Sequence, residues 1–520
     1  MRRLLGAVGC FIWLAAGAIG APARAQIAAS ATIDTAASGK TINAEIYGQF
    51  AEHLGTGIDG GIWVGPNSPI PNIDGYRRDV VTALRQLRVP VVRWPGGCFA
   101  DIYRWRDGIG RRSSRPVTLN KWWGNTEETN QFGTHEFFNF AELISAKTYL
   151  NINVGTGTPG EARDWVEYVS SSSDSSLARL RRANGREKPW KIDYIGIGNE
   201  MWGCGGNLSA AEFSPLARMY ANFLKEPGVV LIGGGATGDD YRWTEEMMKA
   251  RGQLDALSLH YYTLPTGDWS RKGSASGFGE AEWAATFART RKLESYVREH
   301  DKRMDAADPQ EKMGLMVAEW GTWYDPSPGT NSAHLQQENT LRDALVAATN
   351  FHIFHRNAGR VHMANIAQMV NVLQAVILTD GPRMTLTPTY HAFDLYKAFQ
   401  GATALPVTTT APDYAFAGVA IPAIDITAAK DASGAIQLGI VNVDPHRWAD
   451  ITLTLPALAG SRIEAQVLTA RRMDSTNRIG GVPEVAPAAF PDVRWRDGKL
   501  FVRAPAKSIV RLTVSKNRRG

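Results

Sequence analysis

The stretch YIGIGNE, residues 194–200, carries the fold prediction. Its first four residues, Tyr194 to Ile197, predict a short buried strand, and an asparagine and a glutamate follow almost at once. A second stretch has the same form, because LMVAEWG, residues 315–321, is an apolar run that leads into Glu319 and Trp320. Polar residues directly after buried parallel strands are typical of the edge of a sheet at which active sites lie.

Six further short apolar runs predict strands, and polar or aromatic residues follow four of them. Segments with helical periodicity lie between the runs. The eight strand candidates are residues 45–50, 89–94, 149–154, 194–198, 229–233, 257–260, 315–318 and 361–367. Strands that alternate with amphipathic segments, such as residues 76–88 and 341–355, predict an α/β fold with a parallel sheet. Eight repeats predict a (β/α)8 TIM barrel over residues 44–385. A doubly wound open sheet is the rival architecture, but the sequence has neither a dinucleotide-binding glycine fingerprint nor a phosphate-binding loop.

The two ends of the chain differ from this pattern. From about residue 385 onward, stretches such as 435–443 and 508–514 alternate apolar and polar residues, with glycines and prolines between them. This pattern predicts a C-terminal antiparallel β-sandwich over residues 386–520. Residues 26–43 contain an isolated short strand, and we expect it to join the sandwich.

Residues 1–25 have the order of a cleavable secretory signal: Arg2 and Arg3, an apolar stretch, and an Ala-x-Ala end. We therefore expect cleavage between Ala25 and Gln26 and a periplasmic or secreted protein; a membrane anchor is the alternative. Removing this segment lowers the formal net charge from +6 to +3, because it holds three arginines and no acid. No long basic run is present, so we expect no nucleic-acid partner, and no membrane contact after cleavage.

Two carboxylates stand out by position, because Glu200 and Glu319 end the predicted strands four and seven. These strands lie across the mouth of a barrel from one another, so the two side chains can face each other. Retaining glycosidases need two carboxyl groups about 5–5.5 Å apart, one ionised to attack the sugar and one protonated to release the departing oxygen. A lone Asn-Glu pair is more often a helix cap or solvated surface, but a second glutamate at a strand end favours a catalytic pair.

Further motifs identify a resemblance that covers nearly the whole chain. They are IYGQFAEHLG (46–55), VVRWPGGCFADIYRWRDGIG (91–110), ETNQFGTHEF (128–137), GIGNEMWGCGGN (196–207), LSLHYYT (257–263), VAEWG (317–321), ANIAQMVNVL (364–373) and LTPTYHAFDLY (386–396). In this order they resemble the α-L-arabinofuranosidases of glycoside hydrolase family 51. The resemblance implies a retaining, exo-acting enzyme that removes terminal arabinofuranose from arabinoxylan, arabinan or their oligosaccharides by double displacement.

The resemblance also implies residue roles, with Glu200 as general acid/base and Glu319 as nucleophile. The furanose-binding residues that it implies are Glu52, Arg93, Asn199, Tyr262 and Gln368. Two of these have a structural alternative, since Arg93 could form only an ion pair and Gln368 could cap a helix. Cys98 stands where many members carry asparagine, and a thiol there would make a weaker hydrogen bond to the sugar.

Three further residues lie close to these motifs. His260 is equally consistent with orienting a carboxylate and with a structural role, and Trp123 and Trp320 could form apolar walls against the sugar. Whether Cys98 and Cys204 pair in a disulfide is left open. No His/Cys/Asp cluster has zinc-ligand spacing, so we expect neither metal nor cofactor. The resemblance is compatible with a homo-oligomer, although no interface signal is visible.

Two other functions fit the same barrel. An endo-glucanase or endo-xylanase would use the same carboxylates in an open cleft. A non-catalytic carbohydrate-binding protein would keep the fold without the reaction, because fold alone does not establish catalysis.

Overall fold

The computed structural model describes residues 26–455 and 458–516, and its central feature is a closed barrel of eight parallel strands in sequential order. The strands are β1 (Gly48–Phe50), β2 (Val91–Trp94), β3 (Lys147–Ile152), β4 (Tyr194–Ile197), β5 (Val230–Thr237), β6 (Ala256–Thr263), β7 (Gly314–Thr322) and β8 (Val361–Ile366). Each coincides with one of the eight apolar runs. The TIM barrel prediction is therefore confirmed.

Helices follow every barrel strand. They are α1 (Arg78–Leu87), α2 (Thr134–Ile144), α3 (Pro159–Ser170) and α4 (Ser176–Ala183) after β3, then α5 (Ala210–Leu224), α6 (Tyr241–Met247), α7 (Glu280–Asp305), α8 (Leu341–Arg356) and α9 (Pro388–Tyr396). Local sequence explains where α5 begins. The Ser209 hydroxyl accepts a hydrogen bond from the Glu212 N–H, and the Glu212 carboxylate accepts one from the Ser209 N–H. This capping box satisfies two amides that the helix itself leaves unpaired.

The helix α8 differs from the amphipathic outer helix that the sequence predicted over residues 341–355, because it has no solvent-exposed face. All its residues from Leu341 to His355 are buried. The reason is that the sandwich covers the face which an outer barrel helix usually leaves to water. His352 Nδ1 lies 3.4 Å from Asp425 Oδ1, and His355 Nδ1 lies 2.9 Å from Thr427 Oγ1, both on one sandwich strand. The barrel and the sandwich therefore share α8 as a common core element.

The sandwich has two sheets. One has the order Val407–Thr410, Ile27–Ile33, Ala449–Thr454, Lys499–Ala504, Val493–Arg496. The other has the order Thr403–Leu405, Ile424–Lys430, Ile436–Asn442, Ser508–Ser515, Arg462–Leu468, Ala488–Ala489. The N-terminal strand joins the first sheet as expected, with its alternate residues buried.

Two details of the sandwich differ from the prediction. The N-terminal strand pairs parallel with Ala449–Thr454, so the sandwich is not purely antiparallel. Its strands also begin at Thr403 rather than at 386, because Thr387 and Pro388 start a further helix. Threonine as N-cap and proline in the first turn are both strong helix-start signals.

Short elements complete the barrel. Three hairpins pair Asn72–Ile73 with Tyr76–Arg77, Thr118–Asn120 with Thr126–Glu128, and Ile377–Asp380 with Arg383–Leu386; a fourth, on the sandwich, pairs Asp413–Phe416 with Val419–Pro422. Short 3-10 turns span Ala44–Tyr47, Cys98–Ile102, Trp105–Gly108, Arg112–Ser114, Met248–Ala250, Ser332–His334 and Lys397–Phe399. Across the described part of the chain, helices that are both long and apolar enough to span a bilayer are absent.

Candidate active site

A small pocket lies at the carboxyl ends of the barrel strands and encloses about 350 Å³ of space between atoms, its open mouth included. Its lining residues are Glu52, Leu54, Gly97, Cys98, Trp123, Asn199, Glu200, Tyr262, Glu319, Trp323, Leu335, Gln368 and Leu373. They come from β1, β2, β4, β6, β7 and β8 and from the loops that follow. The closed barrel thus brings together side chains that lie more than 300 residues apart in sequence.

Glu319 lies on the wall of this pocket and is held by three neighbours. Arg93 Nη1 donates to its Oε1 at 2.7 Å, and the Tyr262 hydroxyl donates to its Oε2 at 2.7 Å. His260 Nδ1 lies 3.6 Å from Oε1. Both oxygens are thus fixed by charged or neutral donors, which favour the ionised carboxylate.

Glu200 lies opposite on the loop after β4. Gly198 has φ 77° and Glu200 has φ 43°, so the backbone turns sharply where the strand ends. An added Cβ at Gly198 would lie 2.7 Å from Met201 Sδ, which explains the glycine. His260 Nδ1 lies 2.9 Å from Glu200 Oε1. His260 therefore lies between the two carboxylates and near both; that it orients one of them stays a prediction.

The two carboxylates are close together but differ electrostatically. One oxygen of each, together with a His260 nitrogen, lies within 4.8 Å of the others. Burial raises the pKa of Glu200, and the neighbouring Glu319 charge raises it further against the opposing effect of His260. Burial alone would raise the pKa of Glu319 too, but His260, Arg93 and Tyr262 together hold it below its usual range. One group therefore favours the protonated form and the other the ionised form.

Glu52 forms a second polar cluster at the floor of the pocket. Its Oε1 accepts from the Phe99 N–H and from Trp123 Nε1, both at 3.0 Å, and its Oε2 accepts from Gln368 Nε2 at 3.1 Å. Burial raises the pKa of Glu52 to about 7, although the Phe99 N–H, Trp123 and Arg93 oppose the change. Among the described residues, the buried Oε1 of Gln368 has no hydrogen-bond partner, so it can accept from a ligand hydroxyl.

The glycines of the WPGGC motif make room for Glu52. A Cβ added at Gly96 would lie 2.8 Å from Glu52 Cγ, and one added at Gly97 would lie 2.9 Å from Glu52 Oε1. Any larger side chain at these positions would displace the carboxylate. The two glycines therefore serve the polar cluster at the pocket floor.

Arg93 and Asn199 connect the polar groups beneath the pocket. Arg93 is buried and donates from Nη2 to Asn199 Oδ1 at 2.5 Å, while Nη1 holds Glu319. Its guanidinium also lies over the Phe50 ring at 4.6 Å. Arg93 is thus more than a lone ion pair, because it links the residue before Glu200 to Glu319.

Cys98 and Cys204 form a disulfide bond with Cα atoms 5.5 Å apart, which answers the pairing question that the sequence left open. The expectation of a weak thiol donor at Cys98 was wrong, because a disulfide sulfur carries no hydrogen. The bond lines the pocket and joins the loop after β2 to the loop that carries Glu200. Cys204 Sγ lies 3.9 Å from Glu200 Oε2.

Trp320 does not reach the sugar site, so the prediction of an apolar wall was wrong for this residue. Its side chain is fully buried, with ring centroids 5.5 Å from Phe354 and 6.1 Å from Phe393. Successive side chains on a strand point to opposite faces. Since Glu319 faces the barrel interior, Trp320 must face the surrounding helices.

Three apolar residues of the pocket, Leu54, Leu335 and Leu373, were not predicted. Leu54 and Leu373 lie within two of the quoted motifs, but loops without strong periodicity do not show which of their apolar side chains face the pocket. Trp323 packs edge-on against Tyr262 with ring centroids 4.9 Å apart. Trp269 packs against Trp323 at 5.2 Å and is 55% exposed, which extends the aromatic surface outward from the mouth.

Within residues 26–455 and 458–516, two groups of side chains each bring three possible metal-ligand atoms together: Glu200 with His260 and Glu319, and Glu200 with Cys98 and Cys204. In the second group both sulfurs are already joined to each other, so neither is a thiolate. In the first group, donors from Arg93 and Tyr262 already occupy the oxygens of Glu319. The contacts of the first group suit proton transfer by one glutamate and nucleophilic attack by the other.

Comparison with known proteins gives a consistent result. Residues 83–272 match the family model of the α-L-arabinofuranosidase 1 domain, and residues 318–508 match that of the α-L-arabinofuranosidase C-terminal domain. A relative from Bacteroides ovatus, an intracellular exo-α-L-arabinofuranosidase, is 45% identical over 94% of this chain and 96% of its own length. The chain belongs to glycoside hydrolase family 51.

Solved structures support this membership of family 51. The family 51 arabinofuranosidase from Xanthomonas axonopodis pv. citri has a TM-score of 0.92 and 47% identity, covering 94% of this chain and 100% of its own. An α-L-arabinofuranosidase from Thermotoga maritima, solved with arabinose, has a TM-score of 0.81 and 28% identity over 94% and 100% of the two chains. A bifunctional glucanase-xylanase shares only the fold, at 14% identity and a TM-score of 0.60.

The comparison with family 51 also corrects the expected location. We expected a signal peptide and a periplasmic or secreted protein, but the Bacteroides ovatus relative is named as intracellular. Residues 1–25, on which the expectation depended, lie outside the described residues. An apolar N-terminal stretch with two arginines is a pattern of composition, and such a pattern alone does not decide export.

Proposed function

We propose that this enzyme is a retaining exo-α-L-arabinofuranosidase in which Glu319 is the nucleophile and Glu200 the general acid/base. The observation that carries the proposal is the pair of opposed carboxylates. An oxygen of Glu200 lies within 4.8 Å of an oxygen of Glu319, and the pKa of Glu200 is raised while that of Glu319 is lowered. This spacing fits double displacement, since an inverting enzyme needs its carboxyl groups about 6.5–9.5 Å apart to admit a water.

In the first step the Glu319 carboxylate attacks the anomeric carbon, and the bond from that carbon to the departing oxygen breaks. Glu200 donates its proton to this oxygen, so the leaving sugar departs as a neutral alcohol. Arg93 and Tyr262 keep Glu319 ionised and aimed until the covalent bond forms. The enzyme then holds one arabinofuranosyl group as an ester of Glu319.

In the second step Glu200 acts as a base. It takes a proton from a water, whose oxygen attacks the anomeric carbon and releases Glu319 as a carboxylate. His260 contacts both carboxylates, which suits a group that keeps Glu200 aimed while its charge changes. The product is arabinose with the anomeric configuration of the substrate, and Glu200 is protonated again.

The pocket supports exo action on one terminal furanose. Glu52, Gln368 and Asn199 offer acceptors and donors for the hydroxyls of one ring, and Leu335 and Leu373 close the side walls. The substrates we propose are arabinoxylan, arabinan and their oligosaccharides, with the rest of the chain leaving past Trp323 and Trp269.

Product analysis separates this function from the endo-acting alternative. NMR of arabinoxylan and branched arabinan oligosaccharides during hydrolysis should show free arabinose as the only small product, with backbone length unchanged. Shortened xylan or glucan backbones before arabinose appears would instead support an open-cleft glycanase. No hydrolysis of any arabinofuranoside would support a binding protein.

The pH profile of kcat/KM should be bell-shaped. Because the pKa of Glu319 is lowered, this nucleophile stays ionised until the pH falls below the usual carboxylic range, and activity is lost only there. Because the pKa of Glu200 is raised, the required proton persists above that range and activity falls as pH rises through the higher value. In Glu200→Gln the alkaline limb should disappear for 4-nitrophenyl α-L-arabinofuranoside while the acid limb stays. An unchanged alkaline limb would assign it to another group.

A further inference from the structure

Asp101 is a buried carboxylate below the pocket that the proposed reaction does not use. It lies in the 3-10 turn Cys98–Ile102 that follows β2, and it is only 1% exposed. The thirteen described residues that line the pocket do not include it. A buried acid without direct contact to the substrate needs another physical role.

Three backbone amides converge on this carboxylate. Its Oδ1 accepts from the N–H groups of Val154 and Gly155, at 2.8 and 2.9 Å, in the loop after β3. Its Oδ2 accepts from the N–H of Asn199 at 3.0 Å, in the loop after β4. One side chain thus ties together the ends of three neighbouring strands. Burial raises the pKa of Asp101 to about 7, while the three donors and Arg93 oppose protonation.

The bond to Asn199 matters most, because Asn199 directly precedes Glu200. Beyond it the backbone turns at Glu200, with φ 43°, and continues to Gly205. A Cβ on Gly205 would lie 2.2 Å from the Asn199 carbonyl oxygen and 2.9 Å from Asp101 Oδ2, so this glycine lets the loop fold back closely on Asn199 and Asp101. The disulfide joins the same two segments at Cys98 and Cys204. The turn after β2 therefore holds the Glu200 loop at two points, by a hydrogen bond at Asn199 and by the disulfide at Cys204.

Glu319 is held by a different set of contacts. Arg93 and Tyr262 fix its two oxygens, and neither donor hydrogen-bonds to Asp101; Arg93 reaches the Glu200 segment only at the Asn199 side chain, whereas Asp101 holds the Asn199 backbone. A change at Asp101 should therefore move Glu200 more than Glu319. This asymmetry separates a positioning role from a general contribution to folding.

We propose that Asp101 is a positioning residue for proton transfer: by holding the Asn199 N–H it keeps the Glu200 carboxyl over the departing oxygen. This inference rests on the proposed role of Glu200. A carboxylate suits the site because all three partners are donors. In Asp101→Asn one oxygen still accepts from Val154 and Gly155, but an NH2 group meets the Asn199 N–H, and two donors cannot bond.

The test compares two leaving groups in the purified full-length Asp101→Asn enzyme. For methyl α-L-arabinofuranoside, whose alcohol must be protonated, we expect kcat/KM to fall about 30-fold or more. For 4-nitrophenyl α-L-arabinofuranoside we expect a loss below about threefold, because nitrophenolate departs with little protonation. Equal losses on both substrates, or no loss on either, would overturn the proposal. If Asp101→Asn does not fold, the same measurement is made on Asp101→Ser, whose smaller side chain leaves space for a water.

Two controls separate a positioning role of Asp101 from a general contribution to stability and from a wrong assignment of Glu200. Asp308→Asn changes another buried aspartate that accepts a backbone N–H, from Met313 at 2.8 Å, but at the opposite end of the barrel. It should lower the melting temperature and leave the ratio of the two kcat/KM values unchanged. Glu200→Ala should show the same dependence on leaving group as Asp101→Asn. If Glu200→Ala shows it and Asp101→Asn does not, only the positioning role fails; if neither shows it, the acid/base assignment fails.

Discussion

Glutamine at position 319 is expected to lower kcat/KM for every arabinofuranoside by at least about 10⁴-fold, because removal of a nucleophile usually costs this much or more. Glu319→Gln keeps the volume and one acceptor oxygen, so the pocket keeps its shape. An amide, however, cannot form the ester with the anomeric carbon. The loss should be the same for methyl and 4-nitrophenyl arabinofuranosides, because no leaving group compensates for a missing nucleophile.

A small external nucleophile tests whether the lost group is the nucleophile. In Glu319→Ala, azide can enter the space of the carboxylate and attack the anomeric carbon directly, which gives β-L-arabinofuranosyl azide, the inverted product. Glu338→Gln, on the loop after the same strand but outside the pocket lining, is the matched control and should keep near full activity. Activity of Glu319→Gln within tenfold of the native enzyme would show that another group attacks.

Removal of Glu200 should have an effect that depends on the substrate. In Glu200→Ala, kcat/KM for methyl arabinofuranoside or arabino-oligosaccharides should fall about 10²–10⁴-fold, the usual contribution of a general acid. With 4-nitrophenyl arabinofuranoside the same quantity should fall much less. The second step then limits turnover, because no base activates the water, so kcat is low even for this substrate.

Azide distinguishes this residue from the nucleophile by the product it gives. In Glu200→Ala azide attacks the covalent intermediate, raises kcat for the nitrophenyl substrate, and yields α-L-arabinofuranosyl azide with retained configuration. Glu212→Ala, at the start of the helix after the same strand, is the control and should leave the ratio between substrates unchanged. An equal loss for all leaving groups, without azide rescue, would count against Glu200 as the acid.

The fold was predictable because its signals are local. Each barrel strand contains a short apolar run, and most of these runs lead into polar residues. The buried alternation of Ile27–Ile33 marks a sheet with one covered face. The positions of Glu200 and Glu319 were predictable for the same reason, because residues at the carboxyl end of a barrel strand lie at the mouth of the barrel. Arg93 and Tyr262 became candidates through the resemblance to family 51 rather than through periodicity, and their contacts with Glu319 are visible only in the structure.

Other features depend on contacts between distant segments and leave no local pattern. The disulfide requires Cα atoms of Cys98 and Cys204 at bonding distance, which residues 106 positions apart do not reveal. Trp320 belongs to the core because side chains alternate along a strand, so it points away from Glu319. Its position next to Glu319 in sequence had suggested the opposite. The burial of α8 arises only when the sandwich docks on it. Asp101 sits within a motif quoted for the resemblance, but its three amide partners come from two other loops.

A methanol competition measures the stereochemistry of arabinofuranosyl transfer directly. The native enzyme is mixed with 4-nitrophenyl α-L-arabinofuranoside in dilute methanol, and the methyl glycoside formed is identified by NMR; unlike free arabinose it does not mutarotate. Two displacements between Glu319 and Glu200 predict methyl α-L-arabinofuranoside. Methyl β-L-arabinofuranoside would mean one displacement, and the carboxylate pair would then not act as proposed.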